Sequence, residues 1–195
     1  MNTTEFWNLI DLARADAAKT NGDRYYAFAS ALVDQLAATS KETVFEFRRI
    51  FNQLHSAIYR WDMWAAAYLI GGGCSDDSFM DFRAGLIAQG QDWYERAAAS
   101  PDVLADHPDV IAAAADGRDE ALFNEPVNYA TSYAYERING DEDTCSFYDD
   151  YDKFLGPQPA REPSNMGEDF DFDDNAEMHA RLPQLAYIFL TATAR

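Results

Sequence analysis

Apolar residues recur at helical spacing through the first 140 residues of the chain. The first stripe begins at Phe6 and follows Asn2, and Glu5 completes the pattern of a capping box around that start. Thr39 and Glu42 have the same spacing before a later stripe. Further stripes lie within 25–36, 44–58, 61–70, 79–87, 93–99 and 126–138. The sequence therefore predicts a mainly α fold, with a single helical domain of about seven to nine helices.

The composition of the chain changes at residue 141. Between Asp141 and Glu177 there are 13 acidic and 2 basic residues, and three prolines mark a bent or extended linker. Aromatic residues are interleaved with these acids, which is unusual for a free solvated tail. We therefore predict a helical domain at 1–140. At 141–195 we predict an acidic, partly extended, aromatic-rich segment that wraps the helical body and ends in a C-terminal helix interrupted by Pro183.

Net charge narrows the range of partners. The chain has 34 Asp and Glu against 15 Lys and Arg, which gives a formal net charge of −19 at pH 7. Direct binding to a nucleic-acid backbone or to an anionic membrane surface needs clustered cations, so both are disfavoured. A basic protein partner, a bound metal ion and mimicry of nucleic acid are all compatible with this charge.

The N-terminus and the cysteines favour a cytoplasmic location. Residues 1–7 carry an acid where a secretory signal has its basic region. The longest uncharged apolar stretch, 63–74, is shorter than the roughly 20 residues that span a bilayer. Cys74 and Cys145 have no metal-ligand spacing, and two cysteines are too few for a disulfide framework, so we expect free thiols in a reducing cytosol.

A glycine run that leads into a helix start is the first candidate functional site. It comprises Cys74, Ser75, Asp76, Asp77, Asp81 and Arg83. Backbone N–H groups at such a start can hold a phosphate, but acids in the first turn would repel one. A magnesium ion shared by Asp76, Asp77 and Asp81 is more reasonable, with Arg83 orienting an anionic substrate. The alternative is structural: Ser75 caps the helix, the acids complement its dipole, and Arg83 pairs with an acid.

The acidic segment contains the second candidate site. Residues 168–174 open like a calcium-binding loop, but Asp174 stands where such a loop needs a glycine and Ala180 where it needs a glutamate. An extended stretch with Phe170 and Phe172 docked on one side is the plainer interpretation. Its acids are candidate contacts for a protein partner: Glu168, Asp169, Asp171, Asp173 and Asp174.

Other side chains that could carry chemistry have structural interpretations. His55 lies beside the apolar stripe of the third predicted helix, where a histidine is usually hydrogen-bonded rather than a base. Trp61, Trp64 and Tyr68 share one face at helical spacing, which favours a place in the core over a ligand cage. The sequence contains no complete catalytic constellation, so it leaves enzyme activity undecided.

Several runs of residues are shared with a known family. The first is Phe6-Trp7-x-Leu9-Ile10, the most specific is Gly72-Gly73-Cys74-Ser75-Asp76-Asp77, and 134–136 and 167–174 follow. Over most of residues 1 to about 182 the chain thereby resembles the bacterial domain-of-unknown-function 4240 family. That family usually has Trp where this chain has Gly85, which we expect to open space or a weak spot in the helix. The resemblance implies a small bacterial cytosolic helical protein and supplies no activity.

Three functions are compatible with these observations. The first is a non-catalytic acidic binding module, such as an immunity protein or an adaptor, that engages a basic protein. The second is a metal-dependent enzyme or ligand-binding protein that uses the glycine-led helix start and a divalent cation. The third is a mimic of nucleic acid, with acids at phosphate-like spacing.

Overall fold

Helical spacing of apolar residues and well-placed caps give the chain its secondary structure. A computed structural model describes residues 1–20, 22–117, 121–140, 144–158 and 165–191. Within those residues the chain forms twelve α-helices, one 3-10 helix at Pro101–Asp106 and no strand, so the mainly α prediction is confirmed. The α-helices are α1 (Thr3–Ala17), α2 (Arg24–Ala37), α3 (Lys41–Ala57), α4 (Trp61–Gly71), α5 (Asp76–Ala88), α6 (Gln91–Ala99), α7 (Pro108–Asp116), α8 (Glu125–Asn128), α9 (Ala130–Asn139), α10 (Thr144–Leu155), α11 (Asn175–Arg181) and α12 (Pro183–Thr191).

The described residues contain more helices than the seven to nine expected. The stripe at 126–138 divides into α8 and α9 at Tyr129, and the C-terminal stripe divides at Pro183, as predicted. In the acidic segment, which we expected to be partly extended, Thr144–Leu155 forms α10. The linker predicted from the three prolines lies mostly at 159–164, outside the described residues. Residues 141–143 and the Cys145 thiol also lie outside them.

The two predicted capping boxes have different outcomes. Asn2 Oδ1 accepts a hydrogen bond from the Glu5 N–H at 2.9 Å, and Glu5 Oε2 accepts one from the Asn2 N–H at 2.8 Å, so this box is confirmed. Before α3 the cap is Ser40, whose Oγ accepts from the Thr43 N–H at 3.3 Å. The predicted cap at Thr39 is wrong, because its hydroxyl donates back to the end of α2 at 2.7 Å.

The helices pack as two units, and each unit is built from two separate stretches of chain. The first unit contains Met1–Leu54 and Pro126–Pro163, and the second contains His55–Glu125 and Ser164–Arg195. In the first unit α1 packs on α2, α2 on α9, and α9 on α10. In the second unit α12 packs on α4, on α11 and on the 3-10 helix. The division at residue 140, which was drawn from composition, stays a prediction.

Aromatic side chains fill the core of the first unit. Phe6 stacks on Phe47 with 4.5 Å between the ring centroids. The Phe45 ring lies 5.4 Å from that of Tyr135 and 5.9 Å from that of Phe147. Tyr135 and Phe147 are fully buried. Because Phe147 belongs to α10, the acidic segment contributes an aromatic side chain to this core.

In the second unit, α4 buries six of its eleven residues. Met63 and Ala66 are among its fully buried residues, as expected for a helix that is apolar on nearly every side.

A buried carboxylate also fixes the start of α12. Asp102 accepts hydrogen bonds from the backbone N–H groups of Gln184 and Leu185, each at 3.0 Å, and so satisfies donors that the helix itself leaves unpaired.

Gly85 is a close-packing position in α5. A Cβ atom at this residue would overlap the backbone of Leu122, with only 2.7 Å to its carbonyl carbon, and would lie 3.1 Å from the Asn124 nitrogen. Leu122 is fully buried and has a positive φ of 72°. The Asn124 N–H donates to the Asp81 carbonyl oxygen at 3.1 Å. The expected open space is therefore wrong, because the backbone of 122–124 fills it.

Candidate functional site

The glycine-led turn between α4 and α5 presents the first candidate site. Gly72 closes α4 in the left-handed region, with φ of 62°. Ser75 Oγ accepts a hydrogen bond from the Ser78 N–H at 3.2 Å, which confirms Ser75 as the cap of α5. Asp76 and Asp77 follow in the exposed first turn, where they complement the helix dipole.

The three acids proposed as metal ligands lie on α5. Asp76 and Asp77 are exposed, and Asp81, one turn further along, is half-buried. Among the residues that the structure describes, no three His, Cys, Asp or Glu side chains are grouped so that they could hold a metal ion. The geometry therefore gives a divalent cation no support here, and its binding stays a prediction.

Arg83 is buried and has no carboxylate partner within the described residues. Only 8% of its surface is exposed. Its Nη1 donates to the carbonyl oxygen and to Nδ1 of His55, both at 2.9 Å, and its Nε donates to the Phe79 carbonyl oxygen at 3.2 Å. The guanidinium also lies 4.6 Å from the centroid of the Tyr59 ring. Burial lowers the pKa of Arg83 to about 10. The expected pairing with an acid is wrong.

The contact with Arg83 fixes the hydrogen-bonding roles of His55. An arginine side chain can only donate hydrogen bonds, so Nδ1 of His55 must accept. The ring proton is then on Nε2, which donates to the Met80 carbonyl oxygen at 3.0 Å. Both ring nitrogens are thus engaged within the fold, as the sequence-based interpretation of His55 expected.

The Cys74 thiol is not activated by its surroundings. Burial is the main cause that raises the pKa of Cys74 to about 12, and the carboxylates of Asp81 and Asp76 act in the same direction. A nucleophilic cysteine needs the opposite shift, because the thiolate is the reactive form. The backbone of Cys74 has a structural role, since its carbonyl oxygen accepts the indole N–H of Trp64 at 3.0 Å.

A second feature of this unit is a partly exposed group of aromatic rings. Trp61, Trp64 and Tyr68 of α4 are partly buried, and Trp64 stacks on the fully buried Phe79 with 4.8 Å between centroids, so they lie at the edge of the core. Trp61 and Trp64 stack with 5.5 Å between centroids. Phe172 lies 5.9 Å from Trp61, 6.5 Å from Trp64 and 5.4 Å from Tyr68. We call Trp61, Trp64, Tyr68 and Phe172 together the aromatic face.

Hydrogen bonds hold the acidic stretch against this face. The backbone N–H of Trp61 donates to the Met166 carbonyl oxygen at 3.0 Å, and the Tyr68 hydroxyl donates to Asp173 Oδ1 at 2.6 Å. Asp174 caps α11 by accepting an N–H from its first turn at 2.8 Å. The stretch therefore has a defined conformation even though it contains no helix before α11.

The acids of this stretch lie at the surface, beside the packed rings. Phe170 and Phe172 are half-buried, and all five candidate partner-binding acids are exposed. Those acids are Glu168, Asp169, Asp171, Asp173 and Asp174. Docked rings beside solvent-exposed carboxylates are the arrangement expected from the sequence, in which phenylalanine and aspartate alternate.

Arg181 adds a contact that the sequence-based reasoning missed. Its guanidinium lies 4.3 Å from the centroid of the Phe170 ring. Its Nε donates to Glu177 Oε2 at 2.9 Å, and its Nη2 lies 3.2 Å from Glu168 Oε2. The spacing of four residues between Glu177 and Arg181 was a usable signal, but nothing local indicated Phe170 or Glu168.

Residues 1–137 match a family described as "Protein of unknown function (DUF4240)". The chain belongs to this family. No curated protein and no solved structure matches it. The match includes the glycine-led turn of the DUF4240 protein, whereas its acidic stretch at 165–174 lies beyond the matched residues. In the described part of this DUF4240 chain, no helix has the length and apolar character needed to cross a bilayer.

Proposed function

We propose that this DUF4240 protein is a non-catalytic acidic binding protein that engages a basic protein partner, in an immunity-like or adaptor role in a bacterial cytosol. One observation carries the proposal: the exposed acids of 168–174 lie on a stretch whose conformation is set by contacts to α4 and α11. An ordered acidic surface of this kind suits recognition of a basic protein.

Charge and order both support such a partner. Residues 165–177 contain six acids and no Lys or Arg, in a chain of net charge −19. A negative field of this strength speeds the encounter with a basic protein and is weakened by salt. Because the stretch is already ordered, binding avoids the entropic cost of ordering it.

A metal-dependent enzyme receives less support from the same structure. Arg83 bonds to His55 within the fold, so most of its donors are already used. The raised pKa of Cys74 argues against a nucleophile. A nucleic-acid mimic would share the exposed acids with the proposed function, but its partner would be a nucleic-acid-binding protein.

Neutralising the acidic stretch tests the proposal. Asp169→Asn, Asp171→Asn and Asp174→Asn together remove three charges, and asparagine can still accept the hydrogen bonds that Asp171 and Asp174 accept from the turn and from α11. The immobilised protein is incubated with lysate of its native host at about 0.05 M and about 0.5 M salt. We expect capture of a basic protein at low salt, and loss of that capture in the triple variant and at high salt.

A matched control removes the same number of charges elsewhere. Asp92, Asp149 and Asp152 are exposed acids of α6 and α10, and their replacement by asparagine changes net charge equally. Capture should survive in this control variant. The proposal is wrong if no basic protein is captured at either salt concentration, or if the control and the acidic-stretch variant lose the partner to the same extent.

A further inference from the structure

Arg181 shows how this surface holds an arginine side chain. The guanidinium lies on the Phe170 ring at 4.3 Å, and it also contacts the carboxylates of Glu177 and Glu168. Ring and carboxylates thus act together on one cation. The Glu168 side chain is 78% exposed, so this contact forms at the surface rather than in the core.

The same combination occurs elsewhere in the second unit. Arg96 lies 4.2 Å from the centroid of the Trp93 ring, and its Nη1 is 3.6 Å from Asp92 Oδ2. Two arginines of this unit are therefore each held by an aromatic ring and at least one carboxylate. No lysine occurs in the described residues of the unit.

The acidic stretch offers further rings and acids in that arrangement. Asp169 and Asp171 are exposed on either side of Phe170, and Phe172 follows against the aromatic face. Trp61 adds a partly exposed indole ring, the best kind of aromatic partner for a cation, and Trp64 supports it by stacking between Trp61 and Phe79. Negative charge and aromatic rings are thereby presented together to solvent.

We infer that the aromatic face and the acids of 168–174 bind an arginine-rich segment of the partner in preference to a lysine-rich one. This inference rests on the proposed function and names the partner chemistry of the same surface. Guanidinium groups stack on rings and meet carboxylates through two parallel hydrogen bonds. An ammonium group is a more strongly hydrated point charge, so it gains less from the rings.

Two synthetic peptides of equal length and equal charge test the preference, one made of Arg-Gly repeats and the other of Lys-Gly repeats. Their affinities for the full chain are measured by tryptophan fluorescence at low salt, with calorimetry as a check. We expect the arginine peptide to bind about fivefold more tightly. Phe172→Leu keeps an apolar side chain but removes the ring, and should lower the affinity for the arginine peptide while leaving the lysine peptide unchanged. Phe172→Tyr should restore the preference, and thermal melting checks that both variants fold.

The outcomes separate this inference from the proposed function. Equal affinities of the two peptides for the wild type, or an unchanged preference in Phe172→Leu, would overturn the selection of arginine. If both peptides bind equally and both weaken in the Asp169, Asp171 and Asp174 triple variant, the proposed acidic binding surface still stands. The control variant has Asp92, Asp149 and Asp152 replaced by asparagine. If the acidic-stretch triple variant binds both peptides as tightly as this control, the proposed function is wrong as well.

Discussion

Replacing Gly85 with alanine tests the tight contact between α5 and the backbone of 122–124. In an ordinary helix interior, Gly→Ala stabilises by about 1 kcal/mol because alanine loses less backbone entropy on folding. Here the new Cβ would overlap the backbone of Leu122 and lie 2.7 Å from its carbonyl carbon. The structure therefore reverses the expected sign of the substitution.

The size of the effect follows from what would have to move. Leu122 is fully buried with a positive φ of 72°, and the neighbouring Asn124 N–H is bonded to the Asp81 carbonyl oxygen, so this backbone cannot shift without losing packing or a hydrogen bond. Forcing a methyl group into a packed interior costs about 1–3 kcal/mol, and more where backbone atoms must move. After the helix-propensity gain we expect Gly85→Ala to lower the free energy of unfolding by about 2 kcal/mol.

Thermal and urea unfolding followed by circular dichroism measure this loss. For a chain of this length, about 2 kcal/mol corresponds to a fall in Tm of about 4–8 °C. Gly22→Ala is the control, because a Cβ at Gly22 meets nothing within 4 Å. If Gly85→Ala melted at or above the wild-type temperature, the close approach of Leu122 to α5 would be refuted.

Two further predictions concern single side chains of the second unit. Asp102→Ala removes the acceptor for the N–H groups of Gln184 and Leu185, so urea unfolding should show a free energy of unfolding lower by about 2 kcal/mol. Asp102→Asn should lose less. Equal stability of Asp102→Ala and wild type would contradict the capping role. With its pKa raised to about 12, Cys74 has about one thiol in 10,000 ionised at pH 8. Alkylation by iodoacetamide, followed by peptide mapping, should therefore be far slower than for free cysteine, and its rate should rise about tenfold per pH unit. Alkylation of Cys74 at the rate of free cysteine would show that burial does not suppress the thiolate.

Helices and caps were predictable where the signal lies within a few residues. Asn2 and Glu5 form their capping box, and Ser75 caps α5, because cap and partner are three residues apart. The choice of Ser40 over Thr39 was not predictable, since two adjacent hydroxyl residues compete for one helix start. Such competition is decided by the exact residue at which the helix begins.

The candidate sites were predictable only in part, because their contacts join distant residues. The role of Gly85 depends on Leu122, which is far along the chain, so a missing side chain looked like a gap. Arg83 was expected to find an acid in a chain rich in acids, but the groups nearest its donors come from His55. The alternation of Phe170 and Phe172 with aspartates did indicate docked rings and wet acids, since period two is a local signal.

The division of each unit between two stretches of chain has a consequence for biosynthesis. The helices of Met1–Leu54 leave the ribosome about 70 residues before α8, α9 and α10, which complete the same unit. Until then Phe45 lacks the rings of Tyr135 and Phe147 that cover it in the folded protein. We therefore expect the core of the first unit to be completed only after residues 55–125 of the second unit have been synthesised.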